Sequence, residues 1–183
     1  MLTNITLPKL QGERSPLHWF LIRFAILYTL WELAFHIVWQ SPNLMASYRH
    51  FSIWVIGGIL QHTDMLLSSL GYATEIDVPT RVIRLVGTGG VTVGEPCIGF
   101  GVMALFLGLI VAYPSFLSKK LWFIPLGLMV IYSINLIRIA LLCVWSDINP
   151  LIWEFNHKFL FKTVVYSVIF GLWCVWLTIL AKK

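Results

Sequence analysis

The sequence predicts an all-α integral membrane helical bundle of four to five transmembrane helices, with a small extracytoplasmic β-hairpin just ahead of Cys97. Three observations carry that expectation. The 183 residues are 58% hydrophobic and only 11% charged, where a soluble domain is about a quarter charged. Apolar runs of membrane-crossing length recur along the chain. One polar segment, residues 71–96, interrupts them with β-branched and glycine-rich stretches. The length suits a single membrane domain, 1–183, without a second soluble one.

The formal net charge of +5 does not point to nucleic acid, because the basic residues are scattered at helix ends. Topology and anionic membrane lipids would place them there. Nine Trp suit the two interfacial belts. Of three cysteines, Cys143 and Cys174 lie inside apolar runs, so no disulfide framework is visible. The same spread makes no zinc site, and the sequence calls for no metal and no cofactor.

Residues 1–16 are polar, with Lys9 and Arg14, and the apolar run that follows, Leu17 to Trp39, is too long for a signal-peptide core of ~7–15 residues. It reads as the first span, 17–39. Within it, Glu32 and His36 stand four residues apart on one helical face. They either satisfy each other inside the bundle or face a polar cavity shared with Cys97, and in both cases that face should turn from lipid. Gln40 to His50 reads as a polar connection. Residues 51–70 are apolar at the start but carry Gln61, His62, Thr63 and Asp64 together. That segment is an interfacial amphipathic helix or a span facing a cavity. Lys9 and Arg14, Lys119-Lys120 and Lys182-Lys183 can all be cytoplasmic only if an odd number of crossings precedes Cys97. This favours four spans with 51–70 non-spanning. Five spans with an outside N-terminus is the alternative.

Arg81 to Val86 and Val91-Thr92-Val93 flank Gly87-Thr88-Gly89-Gly90, which reads as a β-hairpin outside the membrane within 71–96. Glu95-Pro96 then leads to Cys97, with Pro96 suited to a first helical turn. The remaining spans are 98–113, ended by Tyr113-Pro114, then 121–145 after a basic turn Ser118-Lys119-Lys120, then 159–181.

In this arrangement Cys97 opens its span from the outside, and the chain returns at Lys119-Lys120. Arg138 lies seven residues before Trp145, so about 10 Å below the outer end at ~1.5 Å per residue. His157 stands where the last helix begins. A charge inside an apolar span is by default functional, and Cys97, Arg138 and His157 converge on one side of the membrane. A thiolate, a proton-transferring imidazole and a guanidinium that stabilises an oxyanion are the parts of acyl transfer. Asn135, one turn before Arg138, is placed to orient the guanidinium or donate a further hydrogen bond. Each residue taken alone has an ordinary explanation: a core cysteine, a snorkelling arginine, a loop-capping histidine.

Cys97-Ile98-Gly99, then Asn135-Leu136-Ile137-Arg138-Ile139, then His157 before a final apolar run, resemble the exosortase/archaeosortase family over roughly residues 78–180. Ile98 stands where family members commonly carry Ser or Ala, and the chain lacks the extra N-terminal spans of larger members. The resemblance implies a membrane-embedded cysteine protease/transpeptidase. Cys97 would be its nucleophile, Arg138 its catalytic arginine and His157 its catalytic histidine, with Asn135, Gly99 and Glu95 in support. It further implies substrates that are exported proteins ending in a short motif, one transmembrane helix and a basic tail. They would be cleaved through a thioester on Cys97 and passed to a surface acceptor on the extracytoplasmic side of the cytoplasmic (inner) membrane. The competing class is a non-catalytic accessory or scaffold subunit of an export or envelope complex, which needs bundle packing but no reactive thiol. A rhomboid-type serine protease has little support, since Ser68, Ser69, Ser133 and Ser146 lack a Gly-x-Ser-x setting.

Overall fold

The structure, a computed structural model, describes residues 16–145 and 161–180. The expectations for His157, for Lys9 and Arg14 and for Lys182-Lys183 lie outside the described residues.

Helix α1 (Pro16–Gln40) is followed after a single residue, Ser41, by α2 (Pro42–Ser69). The connection expected over 40–50 is therefore helical from Pro42 onward, with Pro42 at the first helical position, where the missing N–H costs nothing. Three strands follow, β1 (Thr74–Asp77), β2 (Val82–Leu85) and β3 (Val91–Thr92), in the antiparallel order β1-β2-β3. Val82 pairs with Thr92 and Ile83 with Val91. Gly87 (φ +88°) and Gly90 (φ +79°) supply the left-handed turns between these two strands. At Gly90 a Cβ would lie 2.7 Å from that of Arg84, so the turn admits no side chain there. β1 was not expected, because Glu75 and Asp77 make it polar. They occupy its exposed positions, and Glu75 forms an ion pair with Arg84 of β2 at 2.7 Å.

A short 3-10 turn, Glu95–Cys97, precedes α3 (Phe100–Ala112). After Tyr113 in extended backbone, α4 (Leu117–Trp145) begins, and α5 (Phe161–Val175) passes into a π-helical end, Trp176–Leu180. Ser118-Lys119-Lys120 is thus not a turn but the first turn of α4. Among the described residues, His18–Gln40, Glu95–Ala112 and Leu117–Trp145 are long and apolar enough to cross a membrane, and Thr163–Thr178 is a shorter apolar helix.

Side-chain contacts give the directions of the helices. At one end Phe20 of α1, Tyr113 after α3 and Trp173 of α5 pack together, and Phe123 of α4 meets Trp176. At the other end Phe35 of α1 meets Tyr48 of α2, which meets Phe100 at the start of α3. So α1 and α3 are antiparallel, and α4 returns toward the sheet. The lower core is built from Phe106, Ile110, Phe123, Ile131, Ile169 and Trp176. The upper core joins α2, the sheet, the Cys97 turn and the last turns of α4.

Helix α2 stays at the upper end throughout. Phe51 stacks on Phe100 at 5.8 Å, and Leu67 shares a core with Cys97 and Ile83. Its buried stripe, Ser52, Ile56, Ile59, Leu60, Thr63 and Leu67, has the period of an amphipathic helix. His62, Thr63 and Asp64 in its middle each have a specific partner. His62 bonds the Tyr132 hydroxyl of α4 at 2.7 Å, Thr63 donates to the Ile59 carbonyl, and Thr74 of β1 donates to Asp64. These bonds pin the sheet and α4 to α2.

Candidate active site

The site grows from the turn that ends the sheet. The Cys97 N–H donates to the Gly94 carbonyl at 2.9 Å, and the Ile98 N–H to that of Glu95 at 3.0 Å. Gly99 follows with φ +82°, a left-handed conformation that lets the chain change direction before α3 starts. The Gly99 carbonyl then accepts the first helical bond, from Met103. Cys97 is therefore not in the first turn of α3, as the sequence suggested. It sits in a separate tight turn, held upright by glycines on both sides.

Asn135 and Arg138 approach this turn from α4. Three residues apart, they share a helical face. The Asn135 amide donates to the Cys97 carbonyl at 2.5 Å, and its oxygen lies 3.5 Å from Arg138 Nη1. Arg138 Nη2 donates to Cys97 Sγ at 3.4 Å. One guanidinium thus touches the thiol through one nitrogen and is steadied by Asn135 through the other. Cys97 is 7% exposed and Asn135 5%, and shielding from water strengthens such polar contacts. Gly99 closes the arrangement: a Cβ there would stand 3.1 Å from Asn135 Nδ2. The Cys-x-Gly spacing is explained by this contact together with the backbone angle.

Glu95 lies in the same 3-10 turn. Burial raises the pKa of the Tyr48 phenol above its ordinary value, and the negative Glu95 carboxylate adds to the rise. Glu95 is therefore close enough to α2 to act on Tyr48. Cys143 is buried and directed at the Ile83 carbonyl at 3.8 Å, a packing position at the sheet. Cys174 is half-buried on α5. His36 bonds Gln40 at 2.8 Å, one turn on, rather than Glu32. Glu32 and His36 are both exposed on α1.

Sequence reasoning missed the His62–Tyr132 contact. Tyr132, Asn135 and Arg138 recur every three residues on α4, a spacing that could have drawn attention to the first of them. Among the described residues no three His, Cys, Asp or Glu are placed to hold a metal ion.

A buried thiol with a guanidinium against its sulfur, on a turn built to present it, is an arrangement suited to nucleophilic chemistry. No curated protein and no solved structure matches the chain. The family model described as transmembrane exosortase matches residues 16–179. That span takes in every described helix, the sheet and the Cys97–Asn135–Arg138 contact, and the chain belongs to the transmembrane exosortase family.

Proposed function

We propose that this protein is a membrane cysteine transpeptidase that cleaves C-terminal sorting signals of exported proteins. The observation that carries the reading is the 3.4 Å contact between Arg138 Nη2 and Cys97 Sγ in a buried setting. Cys97 attacks the scissile carbonyl as a thiolate, forming a C–S bond. The oxyanion that develops is stabilised by the Arg138 guanidinium, which is already fixed beside the sulfur. Asn135 is a positioning residue: it ties the Cys97 backbone to the guanidinium. His157, assigned by family resemblance, takes the thiol proton and returns it to the leaving amine as the C–N bond breaks. The thioester is then attacked by an acceptor nucleophile, which forms the new acyl bond and releases the thiol. No part of this cycle needs a metal or organic cofactor.

In this reading α1, α3, α4 and α5 are four spans and α2 lies in the interface. The Cys97 turn and the sheet face the extracytoplasmic side of the cytoplasmic membrane. Substrates carry a motif, a transmembrane helix and a basic tail.

The test is capture of the intermediate. The full-length chain is purified from its own membrane under rapid acid quench, and the Cys97 peptide is examined by mass spectrometry. A hydroxylamine-labile polypeptide adduct on Cys97, absent from Cys143 and Cys174, is the expected result. Adduct-free Cys97, with substrate processing intact in Cys97→Ser, would turn the reading into that of an accessory subunit.

A further inference from the structure

Between α1 and α3 runs a partly open groove of about 290 Å³. Its walls include Phe24, Trp31, Gly101 and Gly108, with Tyr28 and Glu32 as polar groups among them. Glu32 precedes the end of α1 by eight residues, which puts its carboxyl about 12 Å below that end at ~1.5 Å per residue. Tyr28 stands one turn away on the same helix, and a carboxyl group has room to accept several hydrogen bonds. A carboxyl facing lipid hydrocarbon at this depth is costly unless something covers it with a donor.

The occupant follows from depth and continuity. A lipid headgroup stays in the interfacial layer and does not reach that level, whereas a helix can present a side chain at any depth. Gly101, the lining residue of α3 nearest the Cys97 turn, lies four residues beyond Cys97 in the chain. A Cβ added at Gly101 would meet nothing within 4 Å, so a second backbone has space to approach there, as small residues permit in membranes.

We propose that the α1–α3 groove docks the transmembrane helix of the substrate, and that Glu32 reads a hydrogen-bond donor on that helix. This rests on the transpeptidase reading, because it takes the polypeptide beyond the scissile bond to be membrane-embedded. It adds a specificity-determining residue remote from the reacting atoms. Substrates are then selected by a polar side chain inside their transmembrane helix as well as by their motif.

The experiment uses the full-length chain in phosphatidylethanolamine/phosphatidylglycerol vesicles. The probes are two synthetic transmembrane peptides of ~22 residues, made of Leu and Ala with a basic tail. One carries a single Asn about 12 Å below its outer end, the level set for Glu32 by ~1.5 Å of rise per residue; the other has Leu there. Association is read by energy transfer between labelled peptide and labelled chain. The Asn peptide is expected to bind more tightly than the Leu peptide by roughly three- to twentyfold, the span of interhelical hydrogen bonds in bilayers. Glu32→Leu should remove that difference and Glu32→Gln should keep most of it. Gly101→Leu, whose Cβ would meet nothing within 4 Å, should weaken both peptides. Equal binding of the two peptides to the unaltered chain would overturn the proposal. So would energy transfer between two labelled copies of the chain that disappears in Glu32→Leu, since a second copy would then be the occupant. The two readings fail separately: acylated Cys97 without Glu32-dependent peptide binding sinks the groove alone. Glu32-dependent binding with a Cys97 that is never acylated leaves a helix-docking protein that is not a transpeptidase.

Discussion

At the residue scale the site depends on two groups doing two jobs each. Arg138 uses Nη1 toward Asn135 and Nη2 toward Cys97 Sγ. Lysine keeps the charge but has a single nitrogen on a flexible stem, and cannot hold both contacts in one plane. Arg138→Lys should therefore lower substrate processing by about 10²-fold or more, the scale of losing one oxyanion donor. A near-normal rate at matched expression would mean that charge alone suffices. Gly99 combines a positive φ with closeness to Asn135. Gly99→Ala should strain the backbone by roughly 1–2 kcal/mol and push Asn135 off the Cys97 carbonyl. Processing should fall at least about tenfold, as expected when a positioning contact is lost, while the melting temperature moves by only a few degrees. An unchanged rate would remove Asn135 from the mechanism. Cys97→Ser should not turn over, because a hydroxyl is far less acidic than a thiol, whereas Cys143→Ser and Cys174→Ser should stay active. Processing in the three variants at equal expression decides this. The types and spacing of these residues were legible in the sequence. The turn that separates Cys97 from α3 was not, since its cause, the left-handed Gly99, is a backbone choice that a glycine permits but does not announce.

At the element scale two helices, α3 and α4, are brought together by one missing side chain. Gly127 of α4 lies beneath the Phe106 ring of α3, and a Cβ there would come within 2.1 Å of the ring. Phe106 is fully buried and packs on Phe123, which packs on Trp176. Gly127→Ala should thus overpack the lower core and cost about 1–3 kcal/mol. Thermal unfolding in detergent should show the loss, and Phe106→Leu in the same chain should restore most of it. No recovery in the double variant would mean that the cost arises within α4 rather than between the helices. The sequence marked α3 and α4 by their apolar length, and the glycine-centred pairing of β2 with β3 by its β-branched flanks. It hid β1, whose alternation of Glu75 and Asp77 with Thr74 and Ile76 resembles a polar loop until Arg84 is seen to face Glu75. It also hid the first turns of α2, because Ser41, Pro42 and Asn43 are loop formers that here make a helix start instead.

For the whole molecule the question is how many times the chain crosses and which end faces out. Lys119 and Lys120 begin α4, and Lys120 donates to the Val111 carbonyl at the end of α3 at 3.0 Å. Arg23 of α1 is close enough to act electrostatically on Lys120. These cations therefore gather at the end opposite the Cys97 turn. The positive-inside rule would make that end cytoplasmic, in keeping with the proposed reading. The sheet end holds arginines too, but it balances them with carboxylates: Arg84 pairs with Glu75, and Asp64 and Asp77 lie nearby on α2 and β1. Helix α2 is where the four-span and five-span readings differ. It carries Arg49, His50, Gln61, His62 and Asp64, is absent from the candidate spans among the described residues, and meets the Cys97 end through both Phe51 and Leu67. In the proposed four-span reading α2 therefore stays at that end. Sequence counting weighed these charges but could not show that Phe51 and Leu67 of α2 both meet the Cys97 end, because Phe51 and Phe100 are far apart in the chain. Reporter fusions after Ser41 and after Gly71 should consequently give the same signal, extracytoplasmic. A fusion after Ser118 should give the opposite one, and a fusion after Asn149 should match the first two. Opposite signals at Ser41 and Gly71 would establish α2 as a span. The same signal at Ser118 and Asn149 would overturn the placement of Cys97 and Arg138 near the outer surface.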